Sequence, residues 1–207
     1  MIKRALMVAA AVFIAACNSS PSQTADNTVG GANVVSTTQT PMATATTSLS
    51  LDRGSKAQAG RVAIADVLSY GGSKPTITAP AGWQLIRDDS TPTTRQSLYW
   101  HAIQANDSST ATWTFSEPVD AQGAIVLLDN VASAAAVDMT SGNTGNGGTP
   151  TAKSIVTTGD GDLILSFYAT DFHLAGLAPL LPANARALIN QEAASHEFWI
   201  LATYQSQ

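Results

Sequence analysis

From Leu49 onward, apolar and polar residues alternate in short runs, each closed by Gly, Pro, Asn, Asp or Ser. Alternation with period two puts successive side chains on opposite faces of an extended chain, so these runs predict half-buried strands. Leu49 and Leu51 alternate with polar residues, and Val62, Ile64, Leu68 and Tyr70 mark a longer strand that stops at Gly71-Gly72. Ile77 lies in a short strand ended by Pro80-Ala81-Gly82, after which Trp83, Leu85 and Ile86 begin the next. Leu98, Trp100 and Ala102 share one face of a further strand, with Tyr99, His101 and Ile103 on the other. Trp113 and Phe115 alternate with threonine, and Ala124 to Leu128 is apolar on both faces. The second half repeats the style at Ile155-Val156, Leu163 to Ala169, Leu188-Ile189 and Phe198 to Tyr204. No window of helical length has a 3.6-residue period; Leu174 to Leu181 has room for a helical turn, bounded by Pro179 and Pro182. The expected fold is all-β, an antiparallel sandwich of jelly-roll or immunoglobulin-like type.

The amino terminus departs from this pattern. Lys3 and Arg4 precede an uncharged run from Ala5 to Ala16, and small residues Ala15 and Ala16 stand before Cys17. This is the layout of a signal peptide, and the run is too short to cross a bilayer core of ~30 Å as a helix. Ile14-Ala15-Ala16-Cys17 resembles the bacterial lipobox. That resemblance implies cleavage before Cys17, diacylglycerol on its sulfur and a further acyl chain on its amino group. Two chains, at ~0.8 kcal/mol per buried methylene, anchor a protein stably. Asn18 follows, where an aspartate would retain such a protein at the inner membrane. The expected location is the cell envelope: the outer membrane in a Gram-negative cell, otherwise the outer face of the cytoplasmic membrane. Residues 17–47 are rich in Ser, Thr, Asn, Gln and Ala with one charged residue, Asp26. They read as a disordered tether with a reach of ~30 Å.

Composition narrows the partners. Apolar residues make up 44% and charged residues 12% of the 207, enough for one packed domain with a Ser/Thr/Asn/Gln surface. Loss of Lys3 and Arg4 on cleavage takes the formal net charge from −5 to −7. Clustered Lys and Arg are absent, so nucleic acid is not an expected partner. One cysteine rules out an intramolecular disulfide.

Two stretches of the body are alike. Residues 60–105 run from a glycine through an apolar strand ending in tyrosine to Pro80-Ala81, Leu85-Ile86, Tyr99-Trp100 and Gln104. Residues 161–206 run from Gly161 through Leu163 to Tyr168, Pro182-Ala183, Leu188-Ile189, Phe198-Trp199 and Gln205. The domain 48–207 thus divides into halves 48–141 and 149–207, joined by the glycine-rich run Gly142 to Gly148. Gln58-Ala59-Gly60, Pro80-Ala81-Gly82-Trp83, Trp113-Thr114-Phe115 and Gly123-Ala124-Ile125 are similar to a β-sandwich module of secreted and cell-surface bacterial proteins, often repeated. The resemblance covers residues 48–205 and is structural; Arg61 departs from it, standing where an acidic residue is expected. In the first half, Trp113 to Phe115 and Ala124 to Leu128 follow the aromatic strand, and the second half has no such pair. Phe198 to Tyr204 is therefore expected as an unpaired edge open to self-association or a partner strand.

Candidate chemistry is sparse. His101, His173 and His196 fit no metal spacing, and no Gly-x-Ser-x-Gly elbow exists. His101 is expected to face solvent opposite Trp100, with His173 and His196 in or beside loops. Asp160-Gly161-Asp162 reads as a turn rather than two calcium ligands, and Asp88-Asp89 as a loop before Pro92 rather than a glycosidase pair. Trp83, Trp100, Trp113 and Trp199 alternate with polar neighbours as core residues do, although sandwich tryptophans also stack on sugars. Trp83, Trp100 and His101 are the candidate ligand-binding residues and Cys17 the lipidation site. No catalytic residue, metal or cofactor is expected. The reading is a lipid-anchored, non-catalytic module that binds a glycan or a surface protein. The alternatives are a hydrolase of envelope polysaccharide and a structural remnant of a larger repeat protein.

Overall fold

A computed structural model describes residues 6–14, 31–71, 74–146, 152–156, 162–170, 186–192 and 199–206. Every regular element among them is a strand: β1 (Leu6–Ile14), β2 (Asn33–Asp52), β3 (Val62–Tyr70), β4 (Ile77–Thr78), β5 (Gln84–Ser90), β6 (Thr94–Ala102), β7 (Thr110–Asp129), β8 (Val137–Asn146), β9 (Leu163–Thr170), β10 (Arg186–Glu192) and β11 (Trp199–Ser206). The pairings are antiparallel throughout, and two sheets stack into an all-β sandwich that does not close into a barrel. One sheet runs β2-β7-β3-β6-β5, with β4 also on β7; the other runs β8-β1-β9-β11-β10.

The inter-sheet core follows from alternation. Val62, Ile64 and Leu68 of β3, Leu98 of β6 and Ala124, Val126 and Leu128 of β7 pack with Leu163, Leu165, Phe167 and Ala169 of β9 and with Ile189 of β10. The opposite face of β3 is buried as well, so Val62 to Ser69 is buried without interruption. What covers that second face is the chain of β2 and β7 folded back over it. Trp113 and Ile125 of β7 belong to one cluster, although twelve residues of straight strand would hold them about 40 Å apart. The β2–β7 register breaks between Thr40 and Ser48, and these bulges are where the paired strands turn. Beyond the turn, Leu49, Leu51, Trp113 and Phe115 form a flap packed on Ala63, Ala65 and Val67. Small residues on the floor make room for indoles on the flap. The chain comes close at Gly123, where a Cβ would stand 2.7 Å from the Asp66 carbonyl oxygen and 3.1 Å from Leu49 Cδ2 and Leu51 Cδ1.

Several expectations are revised. Val34 to Thr47, read as tether, lies in β2 and pairs with β7; a Thr-rich run has the β-branched shape a strand accepts, and it needs only one face covered. Gly142 to Asn146, read as a connector, belongs to β8, and Asp88-Asp89 lies in β5. Ile155 and Val156 are in no strand, and Val156 is 81% exposed. The expected edge at Phe198 to Tyr204 is not an edge: β11 pairs with β9 on one side and β10 on the other. Phe198 itself, Cys17, Asp160, Gly161, His173, His196 and Leu174 to Leu181 lie outside the described residues.

Candidate functional site

Of the three candidate binding residues, the structure joins two and separates the third. Residues 100 and 101 are neighbours on β6, so their side chains leave opposite faces. Trp100 is half-buried against the inter-sheet core. His101 points to the other face, which the β2–β7 flap covers, and is only 6% exposed. The solvent-facing placement expected for it fails because this sheet is buried on both sides.

His101 is the centre of a polar knot. Its Nδ1 lies 2.9 Å from the Gly82 carbonyl oxygen and its Nε2 2.6 Å from Asp107 Oδ2. Both partners present acceptor oxygens, so the tautomer sets which ring nitrogen donates. Asp107 Oδ2 also takes the Gln104 backbone N–H at 2.9 Å and lies 2.7 Å from Arg53 Nη1. Arg53 is 4% exposed and donates through Nη2 to the Ser108 carbonyl oxygen, while its own N–H donates to the Ser109 carbonyl oxygen at 2.9 Å. Burial pushes the Asp107 carboxyl up, but the Gln104 N–H, His101 and Arg53 together outweigh it and hold the group below its ordinary range.

Trp83 closes the knot from the side. Its ring stacks on His101 at 5.3 Å and meets Trp113 edge-on at 4.9 Å, leaving it 9% exposed. The turn before it depends on Gly82, whose φ of +82° is a left-handed conformation, and a Cβ there would lie 2.9 Å from the His101 ring. Both ring nitrogens of His101 face partners inside the knot, Gly82 and Asp107. What the arrangement does is tie the Pro80–Trp83 turn, β6, the loop after Ile103 and the Arg53 loop to one another. Asp107→Ala should therefore lower stability by about 2 kcal/mol, since it strips the charged partner from a buried guanidinium. The contribution should be present above about pH 4 and fade as pH falls through the lowered Asp107 value. Urea unfolding at pH 7 and pH 3 measures both, and a change below 0.5 kcal/mol at pH 7 would mean the knot is fully solvated.

Elsewhere two arginines of the β5–β6 pair hold aspartates. Arg95 clasps Asp88 with two bonds, Nε to Oδ1 at 2.8 Å and Nη2 to Oδ2 at 2.6 Å, and Ser97 adds a third at 2.9 Å. Arg87 clasps Asp89 in the same way. Each carboxylate of the Asp88-Asp89 pair thus has its own arginine. A small cleft between Ser69, Lys74, Pro75, Thr91, Thr94 and Arg95 has a volume of about 10 Å³, room for about one water and far below the ~300 Å³ at which small-molecule pockets begin.

A polar group of a different kind lies between the sheets. Asp66 is fully buried and accepts from Gln96 Nε2 at 3.1 and 3.0 Å. Burial pushes its carboxyl up to about 7 against the opposing Gln96 bond. Gln96 Oε1 and both amide atoms of Gln122 are buried with no hydrogen-bond partner. Sequence reading missed this group because a lone Asp and two Gln inside apolar runs look like the solvent side of half-buried strands. Their common face emerges only from the register that sets Gln96 and Gln122 on either side of Leu68.

No family model, no curated protein and no solved structure matches this chain.

Proposed function

We propose that this protein is a lipid-anchored component of the bacterial cell envelope whose β-sandwich binds a glycan or another surface protein without catalysing a reaction. The observation that carries the reading is the run Ile14-Ala15-Ala16-Cys17 behind a basic start and an uncharged stretch. An all-β body with a surface low in charge suits that setting. Among the three candidate binding residues Trp100 has the most surface left to offer, because Trp83 and His101 are occupied with each other. The non-catalytic reading draws support from the clasped state of Asp88, Asp89 and His101.

Intact mass measurement of the protein extracted from envelopes tests this. The expected mature chain begins at Cys17 and carries the added mass of diacylglycerol plus one acyl chain. Cys17→Ala should move the protein out of the membrane fraction or leave it unprocessed. A mature chain with an unmodified Cys17 thiol overturns the anchor, and release of reducing ends from envelope polysaccharide by the purified protein favours the hydrolase alternative.

A further inference from the structure

The two sheets share one strand order. Reading β2-β7-β3-β6-β5 beside β8-β1-β9-β11-β10 puts β9, β11 and β10 in the places of β3, β6 and β5, and β8 in the place of β2. The place of β7, the strand that completes the first sheet beside β3, is taken in the second sheet by β1. β1 pairs along its length with β9, from Met7 opposite Thr170 to Ile14 opposite Leu163, and on its other edge with β8, from Leu6 opposite Asn146 to Ile14 opposite Val137. The corresponding stretch of β7, Ala121 to Leu128, is buried throughout. β1 is Leu-Met-Val-Ala-Ala-Ala-Val-Phe-Ile, without charge, Pro or Gly, as a strand with neighbours on both edges requires.

Residues 6–14 are also the heart of the segment removed by cleavage before Cys17. We propose that the site between β8 and β9 is a strand acceptor, vacated when the leader is cut and then filled by an uncharged apolar strand, about nine residues long, of a partner protein. This rests on the processing proposed above. The occupant's chemistry is read from what the site holds and from what its counterpart holds: a run of apolar and small residues, extended and antiparallel to β9. A second mature copy is a poorer donor. Its matching runs in β3 and β7 are each paired on both sides, and its own residues 6–14 are gone as well. The vacated gap is one strand wide, so it takes a single segment rather than the edge of another sheet. Backbone N–H and C=O groups along Leu163 to Thr170 would bind it as a sheet is bound, and a charged residue in the segment would have to be desolvated.

The test compares the full chain carrying Cys17→Ser with the same chain lacking residues 1–16, by hydrogen exchange. The probe is a synthetic peptide of residues 6–14 with two lysines added at its end for solubility. The amides of Leu163 to Thr170 that face β1, every second one, should exchange about 100-fold faster without the leader, while those bonded to β11 stay protected; the probe should restore protection, whereas a probe with Ala10→Pro should not. Amides of β3 and β7 should stay protected in both chains, which shows that the rest is folded. If the β9 amides that face β1 stay protected without leader or probe, the chain itself or a second copy closes the gap and the proposal fails; sedimentation separates the two. Fast exchange that the probe cannot slow also overturns it. If the shortened chain does not fold, a full chain with a specific protease site placed within residues 18–30 is cut after folding. Its leader should then exchange with labelled probe, and failure to exchange overturns the acceptor. Native envelope protein that still carries residues 1–16 by mass would instead end the processing proposal and make β1 a permanent strand.

Discussion

Asp66→Asn should stabilise the protein increasingly as pH rises, the gap to the wild type widening by about 4 kcal/mol between pH 4 and pH 8. The carboxyl has an ordinary value of 3.8 and is pushed up to about 7 in the fold, chiefly because burial penalises its charged form. Between those values the native state keeps a proton that the unfolded chain releases, so rising pH favours unfolding. The stabilising contribution of the neutral acid is thus whole below pH 3.8 and is lost as pH passes through 7. At 1.36 kcal/mol for each pH unit between the two values, the loss is on the order of 4 kcal/mol. Asparagine keeps the shape and an acceptor for Gln96 Nε2, and it cannot ionise. Its amide also brings a donor into a region where Gln96 Oε1 and Gln122 Oε1 have no partner. Urea unfolding of both proteins at pH 4, 6 and 8 measures the gap. A gap that stays constant with pH would show that water reaches Asp66 and that its carboxyl titrates normally.

Period-two alternation marks the strands at Val62 to Tyr70 and Leu98 to Ala102 and assigns Trp100 and His101 to opposite faces, but it splits Trp113 to Phe115 and Ala124 to Leu128 into two strands where the structure has one, β7. It does not say what covers each face. Alternation implies one wet side, and here the β2–β7 flap covers that side, so His101 is interior while Trp100 keeps some exposure. The flap depends on register breaks between Thr40 and Ser48, which are properties of pairing rather than of composition. Composition misled at residues 33–47 for a related reason: a chain poor in apolar residues looks disordered alone, yet an adjacent strand supplies its hydrogen bonds. Leu6 to Ile14 is a harder case, because a short apolar run fits a leader and a strand equally. The likeness between residues 60–105 and 161–206 returns as the strand order the two sheets share, but no strand is lacking beside β11, which is paired on both sides, and β1 stands beside β9.

Trp113→Ala should cost 3–5 kcal/mol, while Trp113→Phe should stay within about 1.5 kcal/mol of the wild type. Trp113 has no exposed surface and is the largest fully buried side chain among the described residues. It stands between Trp83, edge-on at 4.9 Å, and Tyr99, tilted at 5.8 Å, and it packs with Leu49 and Leu51 against the small residues of β3. Alanine would leave a cavity that the flap can close only by moving β2 and β7 together, since Leu49 and Trp113 are cross-strand partners. Trp83 would also lose the ring that holds it against His101, so the variant should loosen the Pro80–Trp83 turn along with the core. Phenylalanine behaves differently because of one atom. Trp113 Nε1 is buried with no hydrogen-bond partner, and an N–H in that state costs about 1–3 kcal/mol relative to water. Removing it offsets much of the area lost with the smaller ring. Urea midpoints of the two variants at one pH provide the measurement, and near-ultraviolet circular dichroism reports whether the Trp83 environment survives. If Trp113→Phe proved as damaging as Trp113→Ala, the indole N–H would have a partner, such as a bound water, and its loss rather than the cavity would dominate the energetics of the flap.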